Sequence, residues 1–178
     1  MALNIIDVPI GPAKVEYGDT SPTIFDITKG GITFRVNTTK QDITVDQYGD
    51  TPVKSVMKGR TCEVKVPFAL NDLEKLSKVT PNSKYGKSGT SPNEKKKLEV
   101  YAQAGFDLLK DAKKLVIKPT SSGTTENDWI TIPIAGSIAD PEYTYNADNE
   151  RIANIVFVGY PDDKGLLYIL GDASVVIA

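Results

Sequence analysis

The chain has 178 residues, the size of one ordinary domain, and a formal net charge of −2 from 21 Lys and Arg against 23 Asp and Glu. This near balance provides no basic field that would attract nucleic acid or an anionic membrane surface. The sequence contains no histidine, which excludes the commonest general base and metal ligand, and its single cysteine, Cys62, cannot form a disulfide within the chain.

Residues 1–22 contain several prolines and glycines without clear periodicity, which predicts an extended N-terminal arm outside the main sheet. The first part of this stretch lacks a basic region, and its apolar run is interrupted by Asp7 and Pro9, unlike a signal peptide. No later apolar run reaches the roughly 18 residues that a membrane-spanning helix needs. We therefore expect synthesis in the cytoplasm, no membrane association, and a single domain over residues 23–178.

Two segments, GITFRV and TCEVKVPFA, alternate apolar and polar residues with the period of half-buried strands. The apolar positions are Ile32, Phe34 and Val36 in the first segment and Cys62, Val64, Val66 and Phe68 in the second. The sequence between them, TKQDITVDQYGDTPVKSVMKG, predicts two shorter strands joined by a turn at Tyr48, Gly49 and Asp50. We expect these strands to form an antiparallel meander.

The period changes in the segment NDLEKLSKV, which predicts a short helix. Its apolar residues recur at three-residue steps and are Leu70, Leu73, Leu76 and Val79. Asn71 and Glu74 have the spacing of a helix N-cap and its reciprocal partner. Residues 80–94 are rich in Pro, Gly, Ser and Thr and predict a surface loop. Residues 93–114 predict a longer helix that is kinked near Gly105.

The rest of the chain predicts five strands, KLVIKP, WITIPIAG, RIANIVFVGYPD, LLYIL and ASVVIA. The segment GFDLLKDAKKLVIKP predicts a helix that packs on the sheet and passes directly into a strand, which a proline closes. The residues of this candidate helix–strand joint are Leu109, Ala112, Leu115, Ile117 and Pro119. We expect a mainly β protein, a sandwich or a barrel-like body, with one longer and one short flanking α-helix.

Several stretches contain residues that recur in functional sites, but none has the complete pattern. YGKSGTS lacks the earlier glycine, the preceding strand and the following helix of a phosphate-binding loop. The paired carboxylates of YPDDKG fit a metal site, but this sequence favours a turn between two apolar strands. Cys62 lies on the apolar face of its strand without a histidine partner, which favours an inert core thiol. We therefore expect no enzyme activity, no cofactor and no metal.

Three segments, in the same order along the chain, resemble bacteriophage major tail tube proteins. GFDLLKDAKKLVIKP is similar to their helix-to-strand element, and DITVDQYGDTPVKSVMKGRTCEVKVPFALNDLEKL to their early strands and short helix. IANIVFVGYPDDKGLLYILGD resembles their late strand, Pro-Asp turn and following strand. These segments span residues 32–172, and the N-terminal arm and the 80–94 loop have no specific match.

The resemblance implies a structural subunit with the tail tube fold, which forms hexameric rings that stack into a tube. Such a tube encloses a tape-measure protein and later guides the ejected DNA, which passes through without specific binding. The other partners that it implies are a tail terminator protein and baseplate or tip proteins. The implied location is the tail of the virion, after assembly in the host cytoplasm.

Two sets of residues are candidates for surfaces of such a tube. An acidic lumen would avoid binding the phosphates of DNA, and the acidic residues on or beside the early strands are Asp42, Asp46, Asp50 and Glu63. The 80–94 loop is a candidate for contacts between stacked rings, through Lys84, Tyr85 and Lys87. Apolar strands such as ASVVIA need their edges paired or covered, and neighbouring subunits could supply the partner strands.

A second interpretation is a virion-surface or extracellular β-sandwich binding module. In that case the 80–94 loop would present side chains to a carbohydrate or a receptor. Aromatic residues in the loop would favour this function, and Tyr85 is the only aromatic residue there. The two interpretations differ in self-assembly, because tube subunits form rings or stacks and a binding module does not.

Overall fold

The computed structural model describes residues 10–145 and 150–177, and it confirms the prediction of a mainly β protein. Residues 1–9 of the predicted N-terminal arm lie outside the described residues. The strands are β1 (Ala13–Tyr17), β2 (Thr23–Phe25), β3 (Thr33–Ile43), β4 (Lys54–Phe68), β5 (Ser83–Ser88), β6 (Lys95–Val100), β7 (Lys113–Pro119), β8 (Ile130–Glu142), β9 (Ile152–Tyr160) and β10 (Ile169–Leu170). The helix α1 covers Leu73–Ser77, and single 3₁₀ turns cover Asp46–Tyr48 and Glu126–Asp128.

Eight strands form one antiparallel sheet in the order β2-β1-β7-β8-β9-β4-β3, with β10 paired to β8. This sheet curls, because the chain that leaves β2 reaches the end of β4. There the amide of Lys29 donates to the carbonyl of Pro67 at 3.1 Å, and the amide of Ala69 donates to the carbonyl of Ile27 at 3.0 Å. The sheet thus closes on itself at one end, as a barrel does.

Alternate side chains from six strands of the sheet, β1, β2, β4, β7, β8 and β9, fill the interior. The largest of them are Tyr17, Phe25, Phe68, Phe157, Leu115, Ile132 and Ile155, followed by Val15, Val64 and Val66, all almost fully buried. The ring of Phe25, on β2, lies against the rings of Phe68 and Phe157 at centroid distances of 5.1 and 6.3 Å. These aromatic contacts hold the two ends of the curled sheet together.

The strand Ala13–Tyr17 belongs to the main sheet, so the prediction of an arm over residues 1–22 is wrong for this part. β1 pairs with β2 on one side and with β7 on the other. Val15 and Tyr17 point into the core, whereas Glu16 between them faces outward and binds two lysines. The strand was missed because its alternation is short and lies among prolines and glycines.

The predicted short helix is present, but its cap differs from the prediction. The carboxylate of Asp72, and not the side chain of Asn71, accepts hydrogen bonds from the amides of Glu74 and Lys75 at 3.0 and 3.2 Å. Leu76 turns inward and covers the closed end of the sheet.

The predicted longer helix over residues 93–114 is absent, and the predicted loop at 80–94 contains the strand β5, Ser83–Ser88. β5 and β6 pair along their whole length as a separate antiparallel hairpin. Leu98 of β6 packs on the core, while Lys97 and Glu99 on either side form an ion pair on the opposite face. Residues 95–100 form a strand because this two-residue alternation outweighs the helix propensity of the lysines and leucines.

Residues 101–112 form turns between β6 and β7. The backbone at Gly105 has a φ of +86°, which a helix does not accommodate. The carboxylate of Asp107 accepts a hydrogen bond from the amide of Leu109 at 3.0 Å and so favours a turn. β7 is therefore entered from a turn and not from a helix.

The end of the chain contains less strand than predicted. Of the segment LLYIL only Ile169–Leu170 pairs with β8, while Tyr168 packs against the ring of Phe34 at 5.4 Å. Residues 173–177 of the segment ASVVIA form no strand, and Val175, Val176 and Ile177 are exposed.

Candidate functional site

β3 and β4 form one hairpin that extends well beyond the neighbouring strands. They pair from Thr33 and Lys65 to Ile43 and Lys54, whereas β9 pairs with β4 only from Glu63 onward. Every residue from 37 to 58 is exposed, although the two strands remain hydrogen-bonded to each other. We call residues 37–58 the projecting hairpin. At a rise of about 3.3 Å per residue, it reaches about 20 Å beyond the sheet.

The sequence changes where the hairpin leaves the body of the protein. Phe34 and Val36 alternate with polar residues and are half-buried, but the alternation ends at Asn37 and a polar run follows. The two shorter strands that were predicted here are the outer parts of β3 and β4. A turn joins them, as predicted, with Gly49 at a φ of +59°.

The projecting hairpin exposes apolar side chains on both faces. These residues are Ile43, Val45, Tyr48, Val53, Val56 and Met57, with exposed fractions from 37% to 66%. Val56 lies opposite Gln41 and Met57 opposite Lys40, so adjacent apolar residues point to opposite faces. A two-stranded ribbon has no core of its own, and exposed apolar patches of this kind mark interaction sites.

The end of the hairpin, residues 42–53, is acidic, and we call it the acidic tip. It contains Asp42, Asp46 and Asp50 and no lysine or arginine. Hydrogen bonds from the Ser55 hydroxyl and from the Lys40 ammonium, the latter at 3.2 Å, lower the pKa of Asp42. Within the described part of the chain Asp46 and Asp50 form no ion pair. The tip therefore presents unneutralised negative charge beside apolar side chains.

The fourth acidic candidate, Glu63, lies elsewhere. It is on the outer face of the sheet body and forms an ion pair with Lys65 at 3.3 Å. The acidic residues that the sequence grouped together thus divide into three at the tip, of which Asp42 pairs with Lys40, and one on the body, which pairs with Lys65.

A second surface feature is a cleft of about 310 Å³ between the end of α1, the start of β5 and the turns that precede β7. The charged and aromatic residues that line the cleft are three lysines, two aromatic residues and one acid: Lys78, Lys84, Lys113, Tyr101, Phe106 and Asp111. The Nζ atom of Lys84 lies 5.3 Å from the centre of the Tyr101 ring. We call this feature the basic cleft.

A buried hydrogen bond holds one wall of the basic cleft in place. The hydroxyl of Tyr17 lies 3.1 Å from the carbonyl oxygen of Ala135 and 3.2 Å from that of Asp111. Burial raises the pKa of Tyr17, so its hydroxyl keeps its proton and remains a donor. The turn that contains Asp111 is thereby fixed to the sheet, and the cleft exists before any partner binds.

The residues proposed for contacts between rings all lie on β5. Lys84 lines the basic cleft, and Lys87 lies 3.7 Å from Glu94 in an ion pair. Tyr85 is half-buried, and its hydroxyl oxygen has no hydrogen-bond partner among the described residues.

The residues of the predicted helix–strand joint occupy two different environments. Leu115 and Ile117 are buried in β7, and Pro119 is its last residue. Leu109 and Ala112 lie in the preceding turns, where no helix is present, and Leu109 is 50% exposed. Only the strand half of this element was predicted correctly.

The motifs that suggested chemistry have structural explanations. The carboxylate of Asp162 accepts hydrogen bonds from the amides of Lys164 and Leu166, which confirms the predicted turn. Cys62 is buried, and burial raises the pKa of its thiol. Within residues 10–145 and 150–177, no group of three or more Cys, Asp and Glu side chains is placed to hold a metal ion.

The sequence reasoning missed Tyr48 as an exposed aromatic residue between two acids, and it missed the cleft altogether. The exposure of Tyr48 could have been predicted, because the segment VDQYGD places this tyrosine in a turn, where it is not buried. The cleft joins residues from 77 to 137, so its composition depends on the tertiary structure.

No known protein-family model matches the sequence, and no curated protein shows significant similarity to it. Among the described residues, no helix has both the length and the apolar character that crossing a bilayer requires. The features that bear on function are therefore the projecting hairpin, the basic cleft and the three segments that resemble tail tube proteins.

Proposed function

We propose that this protein is a structural subunit that assembles with copies of itself, and that the assembly is a bacteriophage tail tube of stacked hexameric rings. The observation that carries this proposal is the projecting hairpin. It is a hydrogen-bonded, about 20 Å long element with apolar side chains on both faces and no partner in the described part of the chain.

Burial of the hairpin against other subunits accounts for its composition. Six exposed apolar side chains would weaken the solubility of a monomer, but they stabilise an interface at about 25 cal/mol for each Å² that is removed from water. Among the described strands the outer edge of β3 has no partner, and its backbone groups are ones that a neighbouring subunit can also cover.

The charge distribution suits a conduit for DNA. The chain has a net charge of −2, so a ring of six copies is negative and does not bind phosphates as a basic channel would. Glu63 on the sheet body remains a candidate for the lumen. The tip aspartates are better placed for contacts with a neighbour, because they lie at the end of an extended element.

A tail tube subunit would have further partners, which we also propose for this protein. The tube encloses a tape-measure protein, ends at a tail terminator and at baseplate or tip proteins, and lets DNA pass without specific binding. The location is the virion tail, and the chain has no enzymatic role. The segments that resemble tail tube proteins support these points, and the hairpin supports the self-association on which they depend.

Electron microscopy of the concentrated protein in negative stain tests this function. We expect the images to show rings or stacked rings. In sedimentation velocity the sedimentation coefficient should exceed that of a monomer and should rise with protein concentration. On a gel at physiological salt, added DNA should not retard the protein. A monomer at every concentration would contradict the proposal and favour a surface-binding module. Tight, salt-sensitive DNA binding would contradict the conduit.

A further inference from the structure

We infer that the basic cleft receives the acidic tip of a second copy of this chain. In this contact Tyr48 of one subunit enters the cleft of the next, and Asp46 and Asp50 lie against its lysines. The inference rests on the proposed self-assembly and names the partner surface of the hairpin.

Charge is the first observation that pairs the two surfaces. Within the described residues Asp46 and Asp50 of the tip form no ion pair, while Asp42 pairs with Lys40, and the lining of the cleft has Lys78, Lys84 and Lys113 against Asp111. None of the three lysines forms an ion pair within residues 10–145 and 150–177. Opposite charges that are both unsatisfied in the free subunit steer association and fix its orientation.

Shape and chemistry agree with this pairing. Tyr48 is 66% exposed at the end of the hairpin, and tyrosine is among the residues that most often anchor an interface. The cleft, about 310 Å³, is at the small end of binding pockets, whose volumes run from about 300 to 1,000 Å³. Tyr101 and Phe106 in its walls offer aromatic surfaces for an inserted ring.

The tip and the cleft are separate surfaces of one chain, and in the proposed rings and stacks their contact is heterologous. No residue of the projecting hairpin lines the basic cleft. Each subunit therefore offers its tip to one neighbour and its cleft to another. Such head-to-tail contacts either close into a ring or continue as a filament.

Two charge-reversed variants test the inference, with sedimentation velocity as the measurement. Asp46→Lys/Asp50→Lys reverses the tip, and Lys84→Glu/Lys113→Glu reverses the cleft. Each variant alone should associate at least about tenfold more weakly than the wild type, as expected for the loss of a charged contact in an interface. An equimolar mixture should recover association, because the basic tip of the first fits the acidic cleft of the second.

Two further variants act as controls. Lys95→Glu/Lys164→Glu makes the same change in net charge outside both the cleft and the projecting hairpin and should associate like the wild type. Tyr48→Ser removes the anchor at an exposed position, where folding is not at risk, and should weaken association without a change in melting temperature.

The outcomes separate the inference from the proposed function. A wild type that stays monomeric overturns both. A wild type that assembles, with reversed variants that assemble equally well, overturns the inference alone. Reversed variants that are weakened but do not rescue each other also overturn it, because the tip and the cleft then do not meet.

Discussion

The sheet body and the projecting hairpin share two strands, β3 and β4, and the two halves of β4 have opposite environments. Val64 in the body is fully buried, whereas Val56 in the hairpin is 44% exposed, and both are strand residues paired to β3. The same residue type thus contributes to the core in one half and to the surface in the other.

This difference separates the residues that fold the subunit from those available for partners. The body buries side chains from both ends of the curled sheet and is closed by α1. The hairpin adds backbone hydrogen bonds and no buried core residue. We therefore expect the body to determine the stability of the monomer, and the hairpin to determine its association.

The largest effect is expected for a charge placed in the body. Leu115→Asp buries an unpaired carboxylate at a position with no exposed surface and should lower the free energy of unfolding by about 3–5 kcal/mol. Leu109→Asp, in the turns before β7, should change it by less than about 0.5 kcal/mol. Urea unfolding compares the two. Equal losses would contradict the assignment of residues 101–112 to surface turns.

A milder pair of substitutions compares the two halves of β4 directly. Val64→Ala leaves a cavity in the core and should cost about 1–3 kcal/mol. Val56→Ala should leave the melting temperature unchanged and instead weaken association. Calorimetry and sedimentation of both variants check this. A hairpin variant that melts as early as the core variant would show that the hairpin is part of the folding unit.

The smallest expected effect concerns carboxylates and depends on pH. Burial acts to raise the pKa of Glu16, but hydrogen bonds from Lys118 and Lys14 outweigh it and leave the pKa below 4.5. The contribution of ionised Glu16 to the free energy of unfolding is therefore present at neutral pH. It is lost as the pH falls below 4.5 and then through the lower pKa of Glu16 in the folded protein. Glu16→Gln should cost about 1 kcal/mol at pH 7 and progressively less in acid.

Asp42→Asn is the matched change on the hairpin. The pKa of Asp42 is also lowered, by Ser55 and Lys40, but this carboxylate is exposed and solvent screens its interactions. Urea unfolding at a series of pH values should show a pH-dependent loss for Glu16→Gln and almost none for Asp42→Asn. The reverse order would place the stabilising charges in the hairpin.

Local patterns were enough to predict most of the strands. The alternation in GITFRV, TCEVKVPFA and RIANIVFVGYPD is regular because one face of each strand is buried. At residues 93–114 the spacing of the leucines wrongly predicted a helix. Leu98 lies in β6, which pairs with β5, and Leu108 and Leu109 lie in turns. Such conflicts between local propensity and tertiary pairing cannot be settled from neighbouring residues alone.

The candidate site was less predictable than the fold. The acids of the tip were found from the sequence, but their separation from Glu63 depends on where β9 stops pairing with β4. The cleft needs Lys78, Lys84 and Lys113 to meet, and these come from a helix end and two strands. Their proximity follows from the topology of the sheet and has no local signal.

A shortened hairpin tests the central claim most directly. Residues 41–56 are replaced by Asn-Gly, a two-residue turn that keeps the pairing of Lys40 with Met57. Sedimentation velocity and thermal unfolding are then compared with the wild type. We expect an unchanged melting temperature and a monomer at concentrations where the wild type assembles. Assembly like that of the wild type, or a subunit that no longer folds, would contradict it.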